Sequence, residues 1–329
     1  MPRRPFDASR TPVRKCGPWA PRSRNRPTKP GRPAASRPSP RRGKPALDTP
    51  VASPEARYPW AARLSPRLLK SPWWIGHIPF AYELIARLRP RSIVELGTYS
   101  GSSFAAFCQA MQEAGIDGKC HGVDLWAGDI HMGTFDEALY NEISGYVNAT
   151  YPGIAVLVRK DFNEAAEDFA PGSVDLLHID GTHTYEAVSN DYHTWFGKLS
   201  DRGIVLFHDT NVTVQNAGEA ALKFGVRQFF DEVKGRYPHL EFEHCWGLGV
   251  LFVGKNVPAE ALELVEAAKE PDFRDFFAQK GAAVSRRFEA MGIPLPRHGA
   301  YPGTGSLAGR AVGKLRRIAR RLLGNARAA

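Results

Sequence analysis

Five acidic residues end or follow apolar segments that are typical of buried strands: Glu95, Asp124, Asp161, Asp180 and Asp209. In an open α/β sheet, the carboxyl ends of the parallel strands meet at one edge, and ligands bind there. Carboxylates that lie together repel each other, so a ligand, a cation or hydrogen-bond donors must compensate them. The pattern therefore predicts a binding site at this edge. Capping of helices or turns would explain Asp161 and Asp209, but hardly all five.

Asp180 and Asp209 are the two acids whose surroundings suit a metal ion. Asp180 opens the run DGTHTY, and Asp209 lies in HDTN. Two carboxylates with a third oxygen, from Asn211 or Thr210, suit a hard divalent ion such as Mg²⁺ that keeps several waters. His183 lies one turn from Asp180, at the start of a predicted helix, and is a candidate general base at neutral pH. The alternative is that His183 only satisfies the helix start.

The segment RSIVELGTYSGSSFAAF predicts a buried strand, a turn and a helix, in that order. Gly97 and Gly101 bracket the turn, and Ser102 or Ser103 can cap the helix. Glycine at a strand end lets a ligand approach the backbone, because no Cβ is in the way. Asp124 lies 23 residues after Gly101, where a carboxylate could accept from both hydroxyls of a ribose. A tight turn without a ligand is the alternative for the glycine segment taken alone.

The elements that must position these residues alternate between strand and helix. Strands are predicted at 93–96, 120–126, 154–159, 173–179, 203–208, 239–243 and 249–253, with helices at 79–88, 135–148, 163–169, 184–199 and 217–235. This alternation predicts an α/β fold: a Rossmann-like, seven-stranded, mostly parallel sheet with helices on both faces. The short link between the last two strands predicts a hairpin and hence an antiparallel last strand.

The two ends of the chain differ in composition from the body between them. Residues 1–50 hold 14 Lys and Arg, 2 acids and 12 prolines, and residues 310–329 hold 7 Lys and Arg and no acid. Since the whole chain has a net charge of +10, the body carries +10 − 12 − 7 = −9. We expect a disordered basic leader (1–57), an α/β domain (58–255), a helical extension beyond the core (256–300) and a basic tail with an amphipathic helix (301–329).

This charge distribution bears on partners and location. The basic ends could contact an anionic membrane surface or a partner protein, although a merely solvated leader is the simpler interpretation. Nucleic acid is not expected at the body, because its acids would repel phosphate. No secretory signal or membrane span is predicted, and Cys16, Cys108, Cys120 and Cys245 are scattered, with Cys108 and Cys120 as packing groups. These features favour a cytoplasmic location.

Five phrases of the sequence carry a resemblance to a known family. In chain order they are VELGTYSGSS, GVDLW, VDLLHIDGTHTYEAVSNDYHTW, DRGIVLFHDTNV and GLGVLFVG. Residues 75–254 resemble a class I S-adenosylmethionine-dependent methyltransferase, and more narrowly the type known as methyltransferase domain 24. The resemblance implies the fold predicted above and S-adenosylmethionine as the cofactor.

The resemblance also implies a role for particular residues. The methionine part of the cofactor would lie on the first turn, the ribose on the acid after the second strand, and the adenine between the second and third strand ends. The residues concerned are Glu95, Gly97 and Gly101 for methionine, Asp124 for ribose, and Leu125, Asp161 and Phe162 for adenine, with Thr98 and Ser102 as further cofactor-binding residues.

The layout is also similar to the metal-dependent catechol and caffeoyl-coenzyme A O-methyltransferases. Those enzymes carry an Asp at the fourth strand end and an Asp-Asn pair at the fifth. Asp180 and Asp209 match, but Thr210 replaces the Asn, and Asn211 is only its neighbour. The lysine that follows the first Asp by three residues in those enzymes is His183 here, which keeps a base role but changes its charge.

Taken together, these features predict O-methyl transfer to a hydroxyl of a small molecule or a sugar, with His183 and Asp180 as catalytic residues. Two alternatives stay open. A nucleotide-dependent oxidoreductase is disfavoured, because G-x-G-x-x-G is missing after the first strand. A non-catalytic cofactor-binding module is disfavoured by the acids at all five strand ends. The sequence determines neither the methyl acceptor nor the oligomeric state.

Overall fold

The computed structural model describes residues 52–293, so the predictions for most of the leader and for the basic tail lie outside it. Within these residues, one sheet has seven strands, and two further short strands pair with each other. In chain order the strands are β1 Ser92–Leu96, β2 Lys119–Val123, β3 Gly128–Asp129, β4 Gly133–Thr134, β5 Ala155–Val158, β6 Val174–Ile179, β7 Leu199–His208, β8 His239–Phe242 and β9 Leu248–Phe252.

The predicted helices are all present and, with one exception, unbroken, whereas two short helices at 54–57 and 59–63 lie outside the predicted intervals. The helices are α1 Pro54–Arg57, α2 Pro59–Arg63, α3 Ile78–Leu88, α4 Ser102–Glu113, α5 Glu137–Thr150, α6 Phe162–Ala166, α7 Tyr185–Phe196, α8 Val214–Ala217, α9 Val226–Lys234, α10 Ala259–Ala267 and α11 Pro271–Ala290, with 3₁₀ turns at Ile75–His77 and Gly218–Lys223. The exception is the helix predicted over 217–235, which is broken before α9. At the break, Gly225 packs so tightly that a Cβ there would lie 2.3 Å from the backbone nitrogen of Tyr185.

The sheet has the order β5-β2-β1-β6-β7-β9-β8, and this confirms the predicted fold class. Strands β5, β2, β1, β6 and β7 run parallel, whereas β9 is antiparallel to both β7 and β8. The last two strands therefore form the predicted hairpin.

The register brings the ends of four strands to the same level. Leu96 of β1 pairs with Val123 of β2 and with Ile179 of β6, and Ile179 pairs with Phe207 of β7. Each is at or next to the last residue of its strand. The residues that follow these strands therefore emerge at one edge of the sheet, where the sequence pattern places the site.

Strand side chains alternate between two apolar clusters, as expected for a sheet covered on both faces. Ile93 belongs to one cluster and Val94 to the other. The second cluster also holds Val188, Tyr192 and Trp195, which lie on one face of α7. That face is the one that the 3.6-residue periodicity predicts.

The prediction that residues 256–300 lie beyond the core is wrong for their described part. The rings of Phe273, Phe276 and Phe277 on α11 lie 5.5, 5.3 and 5.1 Å from the ring of Tyr58. All four side chains belong to the larger apolar cluster. Periodicity shows that a helix has an apolar face, but it does not identify the surface that the face covers.

Two features bear on the predicted membrane and redox properties. None of the helices between residues 52 and 293 is long and apolar enough to cross a bilayer. Cys108, Cys120 and Cys245 are free thiols, and the first two are buried. Burial raises the pKa of the Cys120 thiol well above its ordinary value, so this residue acts as a packing group rather than a nucleophile.

Candidate active site

A cavity of about 340 Å³ opens at the carboxyl edge of the strands. It collects predicted residues from four separate stretches of the chain. Those in its wall are Gly97, Thr98, Ser102, Asp124, Leu125, Asp161, Phe162, Asp180 and His183. The wall does not include Glu95, Gly101, Asp209 or Asn211. The fold thus brings seven of the nine predicted cofactor residues and the predicted base to one space.

The two glycines of the first turn are required for different reasons. Gly97 has a φ of +91°, and a Cβ there would lie 2.1 Å from the carbonyl oxygen of Asp180. Gly101 has a φ of +78°, and a Cβ there would lie 2.1 Å from Cδ1 of Ile143. Gly97 therefore lets the ends of β1 and β6 meet under the cavity, whereas Gly101 makes room for α5.

The predicted serine cap of α4 is wrong. Gly101 is the N-cap, and no side chain caps this helix. The Ser102 hydroxyl oxygen instead accepts hydrogen bonds from the backbone N–H groups of Lys70 (3.0 Å) and Ser71 (3.2 Å). Ser102 therefore ties the segment before α3 to the cavity wall, an interaction across 31 residues of chain that capping statistics do not anticipate.

Asp124 is held rigidly at the end of β2. Its carboxylate accepts from the backbone N–H of Tyr99 (2.8 Å) and of Trp126 (2.7 Å). Tyr99 and Trp126 both have positive φ, at 47° and 52°, so this local geometry is strained. Burial raises the pKa of Asp124, although the two backbone hydrogen bonds oppose this effect. A carboxylate fixed in this way suits a neutral diol such as a ribose.

Three buried polar groups in the cavity wall have no hydrogen-bond partner among the described residues. They are the Trp74 indole N–H and the hydroxyls of Thr98 and Ser100. Leaving a buried polar group unsatisfied costs about 1–3 kcal/mol. A ligand with several polar groups would satisfy them, so the cavity fits a nucleoside joined to an amino acid better than it fits an apolar molecule.

Acids and histidines meet at one end of the cavity. The Nδ1 atom of His208 lies 3.1 Å from Oδ1 of Asp180 and 3.4 Å from Oδ1 of Asp209. Its Nε2 atom lies 3.1 Å from the carbonyl oxygen of Cys245. Both ring nitrogens face oxygen atoms, a geometry that fits a doubly protonated imidazolium.

The charge of His208 fits the electrostatics of its neighbours. Burial by itself lowers the pKa of His208, but the carboxylates of Asp209 and Asp180 raise it well above its ordinary value. Burial raises the pKa of Asp180, and His208 outweighs this effect, so that the pKa falls. The predicted compensation of the clustered acids is therefore provided in part by the protein itself.

His183 lies against the second of these acids. Its Nδ1 is 3.2 Å from Oδ2 of Asp209, and only 5 % of the residue is exposed. The ring stacks on Phe224, with centroids 5.0 Å apart and an interplanar angle of 5°, and also contacts His131 at 5.2 Å. His183, Asp180 and Asp209 each offer one donor atom within 4.8 Å of the others, a spacing that a metal ion could bridge.

Asn211, the predicted third metal ligand, has other interactions. Its side-chain amide donates to the carbonyl oxygen of Glu243 at 2.8 Å, and its backbone N–H donates to Trp246 at 2.7 Å. Its ligand role stays a prediction, and His183 is the residue that completes the group around Asp180 and Asp209. Sequence reasoning missed His208, although it directly precedes Asp209 at the end of a predicted buried strand.

Glu95 lies inside β1, below the cavity rather than in its wall. It is fully buried and 3.0 Å from Nδ1 of His178 on the neighbouring β6. Burial raises the pKa of Glu95, against the opposing effect of His178. Any influence of Glu95 on the cofactor must therefore pass through the turn that follows β1.

The far end of the cavity holds the predicted adenine residues. Asp161 caps α6 by accepting from the backbone N–H of Asn163 at 2.8 Å, as the alternative interpretation predicts, and it also lines the cavity. Phe162 packs on Gly181, where a Cβ would lie 2.5 Å from its ring. Leu125 is 48 % exposed, so its apolar side chain is accessible for contact with a flat ligand.

The fold and this cavity define a class of protein. Residues 94–210 match the family model described as "Methyltransferase domain", the type named Methyltransf_24. This stretch is therefore similar to a methyltransferase domain. The match begins within β1 and ends at Thr210, so it includes all four strand ends that surround the cavity.

Two curated relatives resemble parts of the chain. Over 189 residues, it is 43 % identical to the uncharacterized protein y4gI of Sinorhizobium fredii. The aligned region covers 57 % of this chain and 20 % of that protein. The chain is 25 % identical over 122 residues to the uncharacterized protein R132 of Acanthamoeba polyphaga mimivirus, which covers 35 % and 50 %. The chain thus spans a fifth and a half of the lengths of these relatives.

Among solved structures, the chain is similar to the O-methyltransferase TomG of Streptomyces achromogenes in complex with SAM. The identity is 15 % and the TM-score is 0.41, and the match covers 62 % of this chain and 100 % of that one. The chain is also similar to the SAH-bound methyltransferase PaMTH1 of Podospora anserina, with 14 % identity, a TM-score of 0.43, and coverage of 60 % and 85 %. These similarities are partial and identify no substrate.

Proposed function

We propose that the chain is an S-adenosylmethionine-dependent methyltransferase that transfers the methyl group to a hydroxyl of a small molecule or a sugar. One observation carries the proposal: most of the predicted cofactor residues line the same cavity as His183, which pairs with Asp209. The methyltransferase domain at 94–210 supports the reaction class.

The cofactor would lie along the cavity from the first turn to α6. Its methionine end would face Ser102 and the unpartnered groups of Trp74 and Thr98, and its ribose would face Asp124. When bound, the cofactor supplies a sulfonium methyl group that is already reactive. The task of the protein is then to align the acceptor oxygen with that group, an effect worth up to ~7–11 kcal/mol in favourable systems.

The acceptor hydroxyl must lose its proton as the new bond forms. Asp209 accepts from Nδ1–H of His183, and this places the lone pair of the neutral imidazole at Nε2. Nε2 then takes the proton of the acceptor, and Asp209 stabilises the imidazolium that results. Phe224 and His131 cover the ring and limit the access of water to it.

The rest of the acceptor pocket is apolar. Trp73 and Met132 are buried together, with Tyr99, Phe135 and Trp246 packed against them. Trp73, Met132 and Phe135 also line the cavity. This surface would hold the flat or carbon-rich face of an acceptor while its hydroxyl reaches His183.

Activation of the acceptor hydroxyl by a divalent ion such as Mg²⁺ is the alternative to activation by His183. The spacing of three donor atoms supports this alternative. Asp180, His183 and Asp209 would hold the ion, which would lower the pKa of the acceptor hydroxyl. An imidazole that coordinates a metal has no lone pair for a proton, so His183 cannot be base and ligand at once. The two versions therefore predict opposite effects of a chelator.

The first experiment tests the cofactor. Isothermal titration calorimetry should show binding of S-adenosylhomocysteine and none of NAD. Asp124→Ala should weaken binding about tenfold or more, because two charge-assisted hydrogen bonds are lost. Asp117→Ala, an exposed acid outside the cavity, is the matched control. Binding of NAD alone would favour the oxidoreductase alternative.

The second experiment tests the reaction. The protein is incubated with methyl-labelled cofactor and a panel of sugars and phenols, with and without EDTA. Label transfer to oxygen that survives EDTA supports His183 as the base, and transfer that EDTA abolishes and Mg²⁺ restores supports the metal. Transfer only to nitrogen or carbon acceptors would overturn O-methylation. Cofactor binding without transfer to panel members or to any component of a cell extract would indicate a binding module.

A further inference from the structure

Asp191 is a buried acid in the cavity wall that the proposed mechanism does not use. It lies on α7 and is 5 % exposed. Ala187 and Asn190 of the same helix line the cavity with it. Its Oδ2 atom lies 3.6 Å from the position that a Cβ on Gly181 would take, beside the ring of Phe162. Asp191 therefore belongs to the end of the cavity where the adenine is predicted.

No cation compensates this carboxyl group within residues 52–293. Burial raises the pKa of Asp191 to about 7; a hydrogen bond from Asn190 opposes this rise, and the like charge of Asp161 adds to it. α6, α9 and β6 pack on α7, and Asp161, which precedes α6, is the one charged group from these surroundings that acts on Asp191. Lys160 also lines the cavity, but it pairs with Asp168 at 2.6 Å.

A neutral carboxyl group offers one donor and one acceptor side by side, as the amide of Asn or Gln does. Such amides pair with adenine by accepting from the 6-amino group and donating to an adjacent ring nitrogen. An ionised carboxylate has no donor and would face the lone pair of that ring nitrogen. Only the protonated form of an acid can therefore make both of these hydrogen bonds to adenine.

We infer that Asp191 reads the adenine base of the cofactor as a neutral acid, with its O–H donating to a ring nitrogen and its C=O accepting from the 6-amino group. The inference rests on the proposed function, since it requires an adenosyl cofactor in this cavity. The 6-amino group carries two hydrogens, so it can also serve Asp161 as the resemblance implies. Asp191 thereby adds discrimination between adenine and other purines to the ribose contact of Asp124.

The test is calorimetric titration of S-adenosylhomocysteine at pH 6.0 and pH 8.5 into four proteins: wild type, Asp191→Asn, Asp191→Ala and the exposed control Asp117→Asn. The wild type and the control should bind about 10–30-fold more weakly at pH 8.5, because Asp191 is then largely ionised. Asp191→Asn should keep the wild-type affinity of pH 6.0 at both values. Asp191→Ala should bind about tenfold more weakly at both, with the lost hydrogen bonds as the cause.

A second ligand separates base recognition from a general effect on the fold. The analogue with hypoxanthine in place of adenine lacks the 6-amino group and carries a donor at N1. It should bind the wild type about tenfold or more weakly than the adenine ligand, and Asp191→Ala should reduce this discrimination.

Three results would overturn the inference. One is the same pH dependence in Asp191→Asn as in the wild type, and another is wild-type affinity and discrimination in Asp191→Ala. If Asp191→Ala does not fold, the Asn variant decides alone. The third is a wild type that binds no S-adenosylhomocysteine at either pH, and in that case the proposed function falls as well.

Discussion

The buried acids at the ends of β6 and β7 and the buried acid on α7 have different charge partners. At the end of β6 and β7, Asp180 and Asp209 share the imidazolium of His208, and His183 lies 3.2 Å from Asp209. At the α6–α7 end, Asp191 has no cationic partner among the described residues, and burial raises its pKa to about 7. His208 lowers the pKa of Asp180 at the first end, whereas burial without a cation raises the pKa of Asp191 to about 7 at the second.

This difference follows from what surrounds each group. A buried carboxylate stays charged only if a cation or several donors compensate the loss of water. At the first end, the imidazole rings of His208 and His183 compensate the carboxylates, and His183 also provides the proton acceptor. The second end, without them, yields a hydrogen-bond donor from an acid. Charged groups suit the reaction, and neutral groups suit recognition of an uncharged base.

The largest expected effect is on turnover. His183→Ala should lower methyl transfer about 10²–10⁴-fold, because a general base contributes a factor of this size. Binding of S-adenosylhomocysteine should stay within about threefold, since the loss lies in the transition state. The measurements are label transfer to an acceptor identified by the panel and calorimetric titration.

His193→Ala is the matched control for this variant. His193 lies on the same helix, is exposed, and bonds to the carbonyl oxygen of Ser189 within that helix. Free imidazole in the buffer should restore part of the turnover of His183→Ala and leave the control unchanged. A His183→Ala enzyme as fast as the wild type would remove His183 from the mechanism.

The next effect is on stability at the charged end. His208→Gln removes the cation between Asp180 and Asp209, and breaking such a buried group costs about 3–5 kcal/mol. Urea unfolding at pH 7 measures the loss. Millimolar Mn²⁺ or Mg²⁺ should recover more stability in this variant than in the wild type, because the two carboxylates then lack their internal cation.

For comparison, His239→Gln changes an exposed histidine at the start of β8 and should unfold as the wild type does. If His208→Gln also unfolds like the wild type, with or without the divalent ion, the imidazolium does not compensate the acids, and the contrast between the two ends disappears.

The smallest effect is expected at the neutral end. The pKa of Asp191 rises from its ordinary value of 3.8 to about 7 in the folded protein. Between these values the unfolded chain releases the proton and the folded chain keeps it, so stability falls as the pH rises and stays reduced above pH 7. Since each tenfold change in proton affinity is worth about 1.4 kcal/mol, Asp191→Asn should stabilise the ligand-free protein by about 2–4 kcal/mol at pH 8.

The same variant should change stability by less than about 1 kcal/mol at pH 4, where the carboxyl is protonated in the folded protein and about half protonated in the unfolded chain. Urea unfolding at pH 4, 6 and 8 gives the dependence. An equal gain at every pH would mean that packing, rather than ionisation, distinguishes Asn from Asp at this position. The inference that Asp191 keeps its proton in the folded protein would then be wrong.

Much of the fold and part of the site could be predicted from the sequence. The apolar runs located the seven strands of the main sheet, and the link of Trp246 and Gly247 indicated the hairpin. The strand-end rule brought Asp124, Asp161 and Asp180 to one cavity. Glu95 and Asp209 do not line this cavity; Glu95 lies one position before the end of β1 and is fully buried, and its cofactor role stays a prediction.

Other features had no local signal. The break before α9 depends on the approach of Gly225 to Tyr185, which lies 40 residues earlier in the chain. The position of α11 depends on Tyr58, more than two hundred residues away. Asp191 stands in a helix whose periodicity identifies the apolar face, but not the acid that lies beside it in the cavity wall.

The sequence by itself determined which residues could take part in chemistry and in which order the strands deliver them, because strand periodicity and turn composition are local properties. Only the tertiary structure decided the charge of those residues. Protonation depends on burial and on the neighbours within a few ångströms, and those neighbours come from separate strands and helices. The pairing of His208 with two acids, and the isolation of Asp191 from any cation within the described chain, are of this kind.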